Sequence, residues 1–136
     1  MNEPGPMVLA VDDDPDVLEF YRIILQGGGY RVECFADADR AFEFMTEQRP
    51  DLVITDLMMG ALDTGFSFVA ELREHPALKD IPIIIVTAVS SQRGFSFVPQ
   101  GEEDLAAMQV EAFFTKPVEP KDLLATVRDL LGGSQR

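Results

Sequence analysis

Two short apolar runs in this chain end abruptly in acids, and few folds accept that pattern. Leu52-Val53-Ile54-Thr55 leads into Asp56, and Met7-Val8-Leu9-Ala10-Val11 leads into Asp12, Asp13 and Asp14. Near-continuous apolar runs of this length read as strands buried on both faces, the habit of a parallel sheet covered by helices. In an open α/β sheet, ligands bind outside the carboxyl ends of the strands. Both runs therefore deliver carboxylates to the edge where chemistry is done. Gathering negative charge on neighbouring strands is costly unless a cation sits there. The pattern predicts a hard-metal site with one carboxylate left over to react.

The rest of the chain alternates in a way that supports such a sheet. Asp14 is suited to cap a helix, with Pro15 at its first position, where the missing N–H costs nothing. Val17, Leu18, Tyr21, Ile24 and Leu25 then recur at helical spacing, and Gly27-Gly28-Gly29 stops the helix. Tyr30 to Phe35 alternates as a short strand. Residues 37–48 form a second helix with Phe42 and Met45 inward. A third helix runs from Gly65 to Glu74, with Phe66, Val69, Ala70 and Leu72 as its apolar side. Pro82 to Thr87 is the most strongly apolar strand. A fourth helix is expected near Glu102 to Gln109, then a fifth strand, Ala112 to Thr115, running into Lys116-Pro117. The last helix starts near Pro120 and carries Leu123, Leu124, Val127, Leu130 and Leu131 on one side. Five strand–helix alternations suit right-handed crossovers onto one parallel sheet.

At 136 residues the chain makes one domain, expected over residues 7–131, with a flexible extension at 1–6 and a loose tail or truncated linker at 132–136. Its net charge of −13 argues against direct binding to nucleic acid or anionic membrane, because neutralising phosphates takes Lys and Arg. A divalent cation or a basic partner surface fits better. Cys34 stands alone, so no internal disulfide can form, and it reads as a small residue in a strand in a reducing compartment. No signal peptide and no apolar run long enough to span a bilayer is present, so a soluble, cytoplasmic protein is expected. His75, the only histidine, lies before Pro76 in a polar turn and reads as a bystander.

Asp12 and Asp13 follow the first strand, Asp56 the third, Thr87 ends the fourth and Lys116-Pro117 follows the fifth. In that order the motifs VLAVDDDPDVL, DLVITDLMM, IPIIIVTA and FFTKP closely resemble the receiver domain of two-component response regulators, over essentially the whole chain. The resemblance implies a flavodoxin-like doubly wound (βα)5 fold with sheet order 2-1-3-4-5, for which a member of this family is a standard illustration. It implies that Asp56 accepts a phosphoryl group from the histidine of a sensor kinase, signalling without being an enzyme in the ordinary sense. A carboxylate can do this by forming an acyl phosphate. It further implies Mg²⁺ held by Asp13 and Asp56 directly, by Asp12 through water and by the carbonyl of Met58. Hard oxygen donors suit that ion, which bridges to phosphate oxygens. Lys116 would pair with Asp56 and then with a phosphoryl oxygen. Thr87 would donate its hydroxyl to the phosphoryl group and pull its loop inward, with Phe113 turning inward as the coupled aromatic. The Lys116-Pro117 bond is expected to be cis.

The chain also departs from the family. Gly60 stands where receivers commonly have proline, and the segment Ala61 to Gly65 is one residue longer, so the loop beside the site is expected to be more mobile. Between Thr87 and Lys116 the chain is several residues longer than usual and carries the insert Arg93 to Val98, in which Phe95 and Phe97 would cover the output face or dock a partner. That face, formed by the fourth helix and fifth strand, is where a downstream protein is expected, unless the sequence is part of a longer chain that carries its own output domain. Met58 and Val89 flank the path of a hydrolytic water and are apolar, which predicts slow loss of phosphate. Two other functions compete. One is a phosphorelay intermediate that hands phosphate to a histidine phosphotransfer protein. The other is a Mg²⁺-dependent hydrolase with an aspartyl-phosphate intermediate, disfavoured because such enzymes place an acid where Met58 stands. An interaction module with unused chemistry would leave the set of Asp12, Asp13, Asp56, Thr87 and Lys116 without a purpose.

Overall fold

The computed structural model describes residues 5–56, 64–87, 110–116 and 118–131, with the side chains of 64–67 and of Thr87 left aside. Its strands are β1 (Met7–Val11), β2 (Arg31–Phe35), β3 (Leu52–Thr55), β4 (Ile83–Thr87) and β5 (Ala112–Thr115). Its described helices are α1 (Pro15–Gly27), α2 (Ala38–Glu47), α3 (Thr64–Glu74) and α4 (Pro120–Leu130). The strands are all parallel and stand in the order β2-β1-β3-β4-β5. This is the flavodoxin-like doubly wound sheet that the family resemblance implies, and the parallel pairing that the strand–helix alternation predicts. The helix expected near 102–109, the insert at 93–98, Gly60, Met58, Val89, Pro117 and the tail 132–136 lie outside the described residues.

The burial pattern explains why the runs read so clearly. All five residues of β1 and all four of β3 are buried, because each strand has a neighbour on both sides and helices on both faces. β2, at the sheet's edge, alternates between exposed and half-buried positions, as a strand with one open side should. Each fully buried Val, Leu or Ile contributes about 1.5–3 kcal/mol relative to exposure, so the central strands hold the fold.

Side-chain alternation divides the core in two. Leu9, Val11, Val53, Ile83 and Ile85 pack with Ala38, Ala41 and Met45 of α2 and Phe68, Val69 and Leu72 of α3. Val8, Ala10, Ile54, Ile84 and Val86 pack with Leu18, Tyr21 and Leu25 of α1 and Leu123 and Val127 of α4. One face of the sheet therefore belongs to α2 and α3, the other to α1 and α4.

Local chemistry sets the element ends. The Asp14 side chain accepts from the Asp16 N–H at 2.9 Å, and Asp37 does the same for Asp39 at 2.8 Å, so α1 and α2 are each capped by an Asp. Gly29, at φ +95°, turns the chain out of α1 in a conformation that costs other residues strain. In α3 the expected inward face needs correction: Phe68 is buried and Ala70 is exposed. His75 has a structural task. Its ring meets Phe42 edge-on at 5.8 Å, and its Nδ1 accepts from the Ala77 N–H at 3.1 Å. Phe42 itself is half-buried against the α2/α3 core.

Candidate functional site

Asp12, Asp56 and Lys116 are each the first residue after their strand and continue its alternation. Ala10, Ile54 and Phe114, two residues earlier in each case, all pack on the α1/α4 side. Their successors arrive on that same side at the carboxyl edge, although 60 residues separate Asp56 from Lys116 in sequence. The Lys116 Nζ stands 2.9 Å from Asp12 Oδ2 and 2.9 Å from Asp56 Oδ2, bridging the two acids. Both carboxylates are buried, whereas the Lys116 side chain keeps 23% of its surface.

The backbone fixes the two acids. The Asp12 N–H donates to the Phe35 carbonyl at 3.1 Å and the Asp56 N–H to the Val11 carbonyl at 3.2 Å, so each acid is tied to a neighbouring strand. Asp12 Oδ1 accepts from the Asp14 N–H at 2.9 Å, which joins the capping turn of α1 to the pocket. Thr55, buried, donates its hydroxyl to the Asp56 carbonyl at 3.0 Å. Asp12 Oδ2 is buried and accepts no aligned hydrogen bond among the described residues, so its contact with Lys116 is an ion pair of imperfect angle. Burial pushes the Asp12 carboxyl above its ordinary value, opposed by Lys116 and the Asp14 amide. Burial pulls the Lys116 ammonium down, but its bonds to Asp12 and Asp56 outweigh that and leave it above its ordinary value.

Asp13 follows in the chain and is exposed. Among the described residues no three acidic, imidazole or thiol groups converge as a ready-made metal cage. Mg²⁺ is commonly held by one or two carboxylates, with waters and phosphate oxygens completing its shell. The buried oxygen of Asp12, lacking an aligned donor, and the carboxylate of Asp56 are hard donors of the right kind. Among the described residues two carboxylates, Asp12 and Asp56, face the Lys116 ammonium. Phe113 is half-buried in β5 and packs towards α2 and α3, the face opposite Lys116. The register pairs Ile85 with Phe113 and Thr87 with Thr115, so Thr87 and Phe113 are diagonal neighbours on adjacent strands.

Sequence reasoning passed over Tyr21 as a site neighbour. It is 1% exposed in the α1/α4 core, and its phenol lies above the usual range, first through burial and then through the fields of Asp12 and Asp56. Its helical spacing marks it as core; nothing local marks its closeness to the acids.

Residues 8–128 match the family model of the response regulator receiver domain. The chain belongs to that family. It is a signalling domain of two-component response regulators. Response regulator Rre1 of Synechocystis sp. is 34% identical to it over 138 residues, covering 99% of this chain and 55% of that protein. Response regulator MprA of Mycobacterium leprae is 36% identical over 126 residues, covering 91% of this chain and 50% of that protein. The receiver thus spans about half the length of these relatives. Among solved structures, the chemotaxis response regulator CheY4 of Vibrio cholerae superposes with a TM-score of 0.78 at 29% identity, covering 93% of this chain and 98% of that one. The receiver domain of sensor histidine kinase PA1611 from Pseudomonas aeruginosa gives 0.77 at 27% identity, covering 94% and 98%; that structure has a magnesium ion coordinated in its active site cleft. Among the described residues of this receiver, no helix is long and apolar enough to cross a membrane.

Proposed function

We propose that Asp56 is the phosphoacceptor of this receiver and that a sensor histidine kinase or a histidine phosphotransfer protein is the donor. In the transfer an Asp56 carboxylate oxygen forms the new P–O bond. The P–N bond of the donor phosphohistidine breaks, and the imidazole nitrogen keeps the electron pair. The observation that carries this reading is the Lys116 ammonium held 2.9 Å from both buried carboxylates at the sheet's carboxyl edge. There it offsets part of the negative charge of the two acids and is within reach of a phosphoryl oxygen added to Asp56.

Asp12, Asp13 and Asp56 would hold Mg²⁺, with the Met58 carbonyl as a further ligand. When bound, the ion would supply positive charge against these acids and against the charge that develops on the phosphoryl group. Thr87 and Phe113 would carry the change outward: the hydroxyl of Thr87 donates to the phosphoryl group, and Phe113 rotates inward beside it. The output would leave through protein contact on the face beside β5.

The test compares wild type with Asp56→Asn after incubation with acetyl phosphate and Mg²⁺. A mass increase of one phosphoryl group, confined to the wild type and abolished by EDTA, is expected. Equal labelling of both proteins would overturn the assignment.

A further inference from the structure

We propose that the cleft between α2 and α3 docks an arginine-bearing basic segment of a partner protein, independently of chemistry at Asp56. The cleft measures about 440 Å³ and is lined by Asp39, Arg40, Phe42, Glu43, Thr46 and Glu71. That volume lies in the range of ordinary ligand pockets. Phe42 has one side against the α2/α3 core and His75, yet also lines the cleft, so an aromatic surface is offered between charged walls.

Apart from Asp39, which sits favourably in the first turn of α2, the charges on those walls are not engaged in ion pairs within the described fold. Asp39, Glu43 and Glu71 are exposed, and none of them makes an ion pair there. Arg40 makes none either, although it stands among them. Three acids against one base leave the walls negative, in a chain that is itself at −13. A cation with a flat apolar face is the complementary occupant. A guanidinium stacks on an aromatic ring and bonds carboxylates in a fork, which an ammonium cannot do. Acidic surfaces attract any polycation, so the claim is that this cleft, and not net charge, selects the segment.

The probe is a labelled hexa-arginine peptide, titrated by fluorescence anisotropy at moderate salt, with amide chemical shifts recorded in parallel. Glu43→Lys with Glu71→Lys should weaken binding by about fivefold or more, while the equal charge change Asp122→Lys with Asp129→Lys on α4 should weaken it less than about twofold. Phe42→Leu, which keeps a core side chain, should also weaken it and should narrow the preference for hexa-arginine over hexa-lysine. Shifts should concentrate at residues 39–46 and 71. Equal losses in the two charge-reversed proteins, or shifts spread over the surface, would overturn the proposal in favour of bulk electrostatics. Displacement of the peptide by spermidine at equal concentration would overturn it in favour of a small-cation site.

Discussion

Replacing Lys116 by Met deletes the ammonium that bridges two buried acids, and its cost can be worked from the geometry. At 2.9 Å and an effective dielectric of about 20, each contact carries roughly 6 kcal/mol of gross Coulomb attraction. Most of that offsets desolvation. Removing one partner of a buried pair costs about 3–5 kcal/mol, and the partial exposure of Lys116 puts this case near about 3 kcal/mol. The loss should depend on pH with a definite sign. Asp12 already lies above 3.8 through burial, and the variant removes the Lys116 contacts that oppose the rise. An acid whose folded pKa exceeds its unfolded value imposes no penalty below the unfolded value. The penalty grows as pH rises and is complete above the folded value. Lys116 lies above 10.5 when folded, so in wild type its contribution holds throughout the acid and neutral range and is lost only as pH rises through that raised value. Urea unfolding should therefore show a midpoint lowered by about 1–2 M at about pH 8, and by clearly less at about pH 4.5. Added Mg²⁺ should recover part of the loss at the higher pH. A deficit equal at both pH values, or larger in acid, would refute the account.

Three further outcomes follow from the same coordinates. Arg73 donates to the carbonyls of Lys79 and Ile81 at 2.7 and 2.8 Å and to Glu111 Oε1 at 3.2 Å, and that oxygen also accepts the Ile83 N–H at 2.7 Å. Arg73→Ala should cost about 2 kcal/mol in chemical denaturation, and a double-mutant cycle with Glu111→Gln should show coupling of at least about 0.5 kcal/mol. Gly29→Ala has open space around the new methyl but keeps φ +95°, so it should cost about 1 kcal/mol through backbone strain alone, with the native fold retained by circular dichroism. Burial raises the Cys34 thiol, so a disulfide reagent near neutral pH should label it slowly in the folded protein and promptly in urea. Fast labelling of the native protein would contradict that.

What could be read from the sequence, and what could not, follows from the range of each interaction. β1, β3 and β4 are legible because their burial on both faces demands unbroken apolar runs, and β2 is legible because an edge strand needs only alternation. The Asp14 cap is legible because its bond spans two residues. Asp12, Asp56 and Lys116 could be placed at one edge because strand ends and a family resemblance both mark them. The inward face of α3 was not legible in full: helical spacing leaves Ala70 as eligible as Phe68, and only packing against the sheet selects Phe68. The Arg73–Glu111 clamp joins side chains 38 residues apart, and no local pattern announces it. Nor does spacing show that Tyr21, or the α2–α3 cleft, lies near charges from elsewhere in the chain.

The sheet also dictates how a change at Asp56 can travel. Lys116 and Phe113 belong to β5 and its first flanking residue, yet they serve opposite faces, so under the proposed switch a displaced lysine would act on the aromatic through three backbone links rather than through contact. β5 is the strand best suited to yield. Like β2 it is an edge strand with one neighbour and no fully buried residue, whereas β3 is buried at every position between two neighbours; of the two edge strands only β5 leads into Lys116. Opening free energy falls with loss of buried contact and of paired neighbours. Amide exchange should accordingly be faster at 112–115 than at 52–55 in the unmodified protein. Beryllofluoride with Mg²⁺ should change protection at 112–115 far more than at 7–11 or 52–55. Equal protection of β3 and β5, or a response confined to the central strands, would mean that the edge strand is not the moving part.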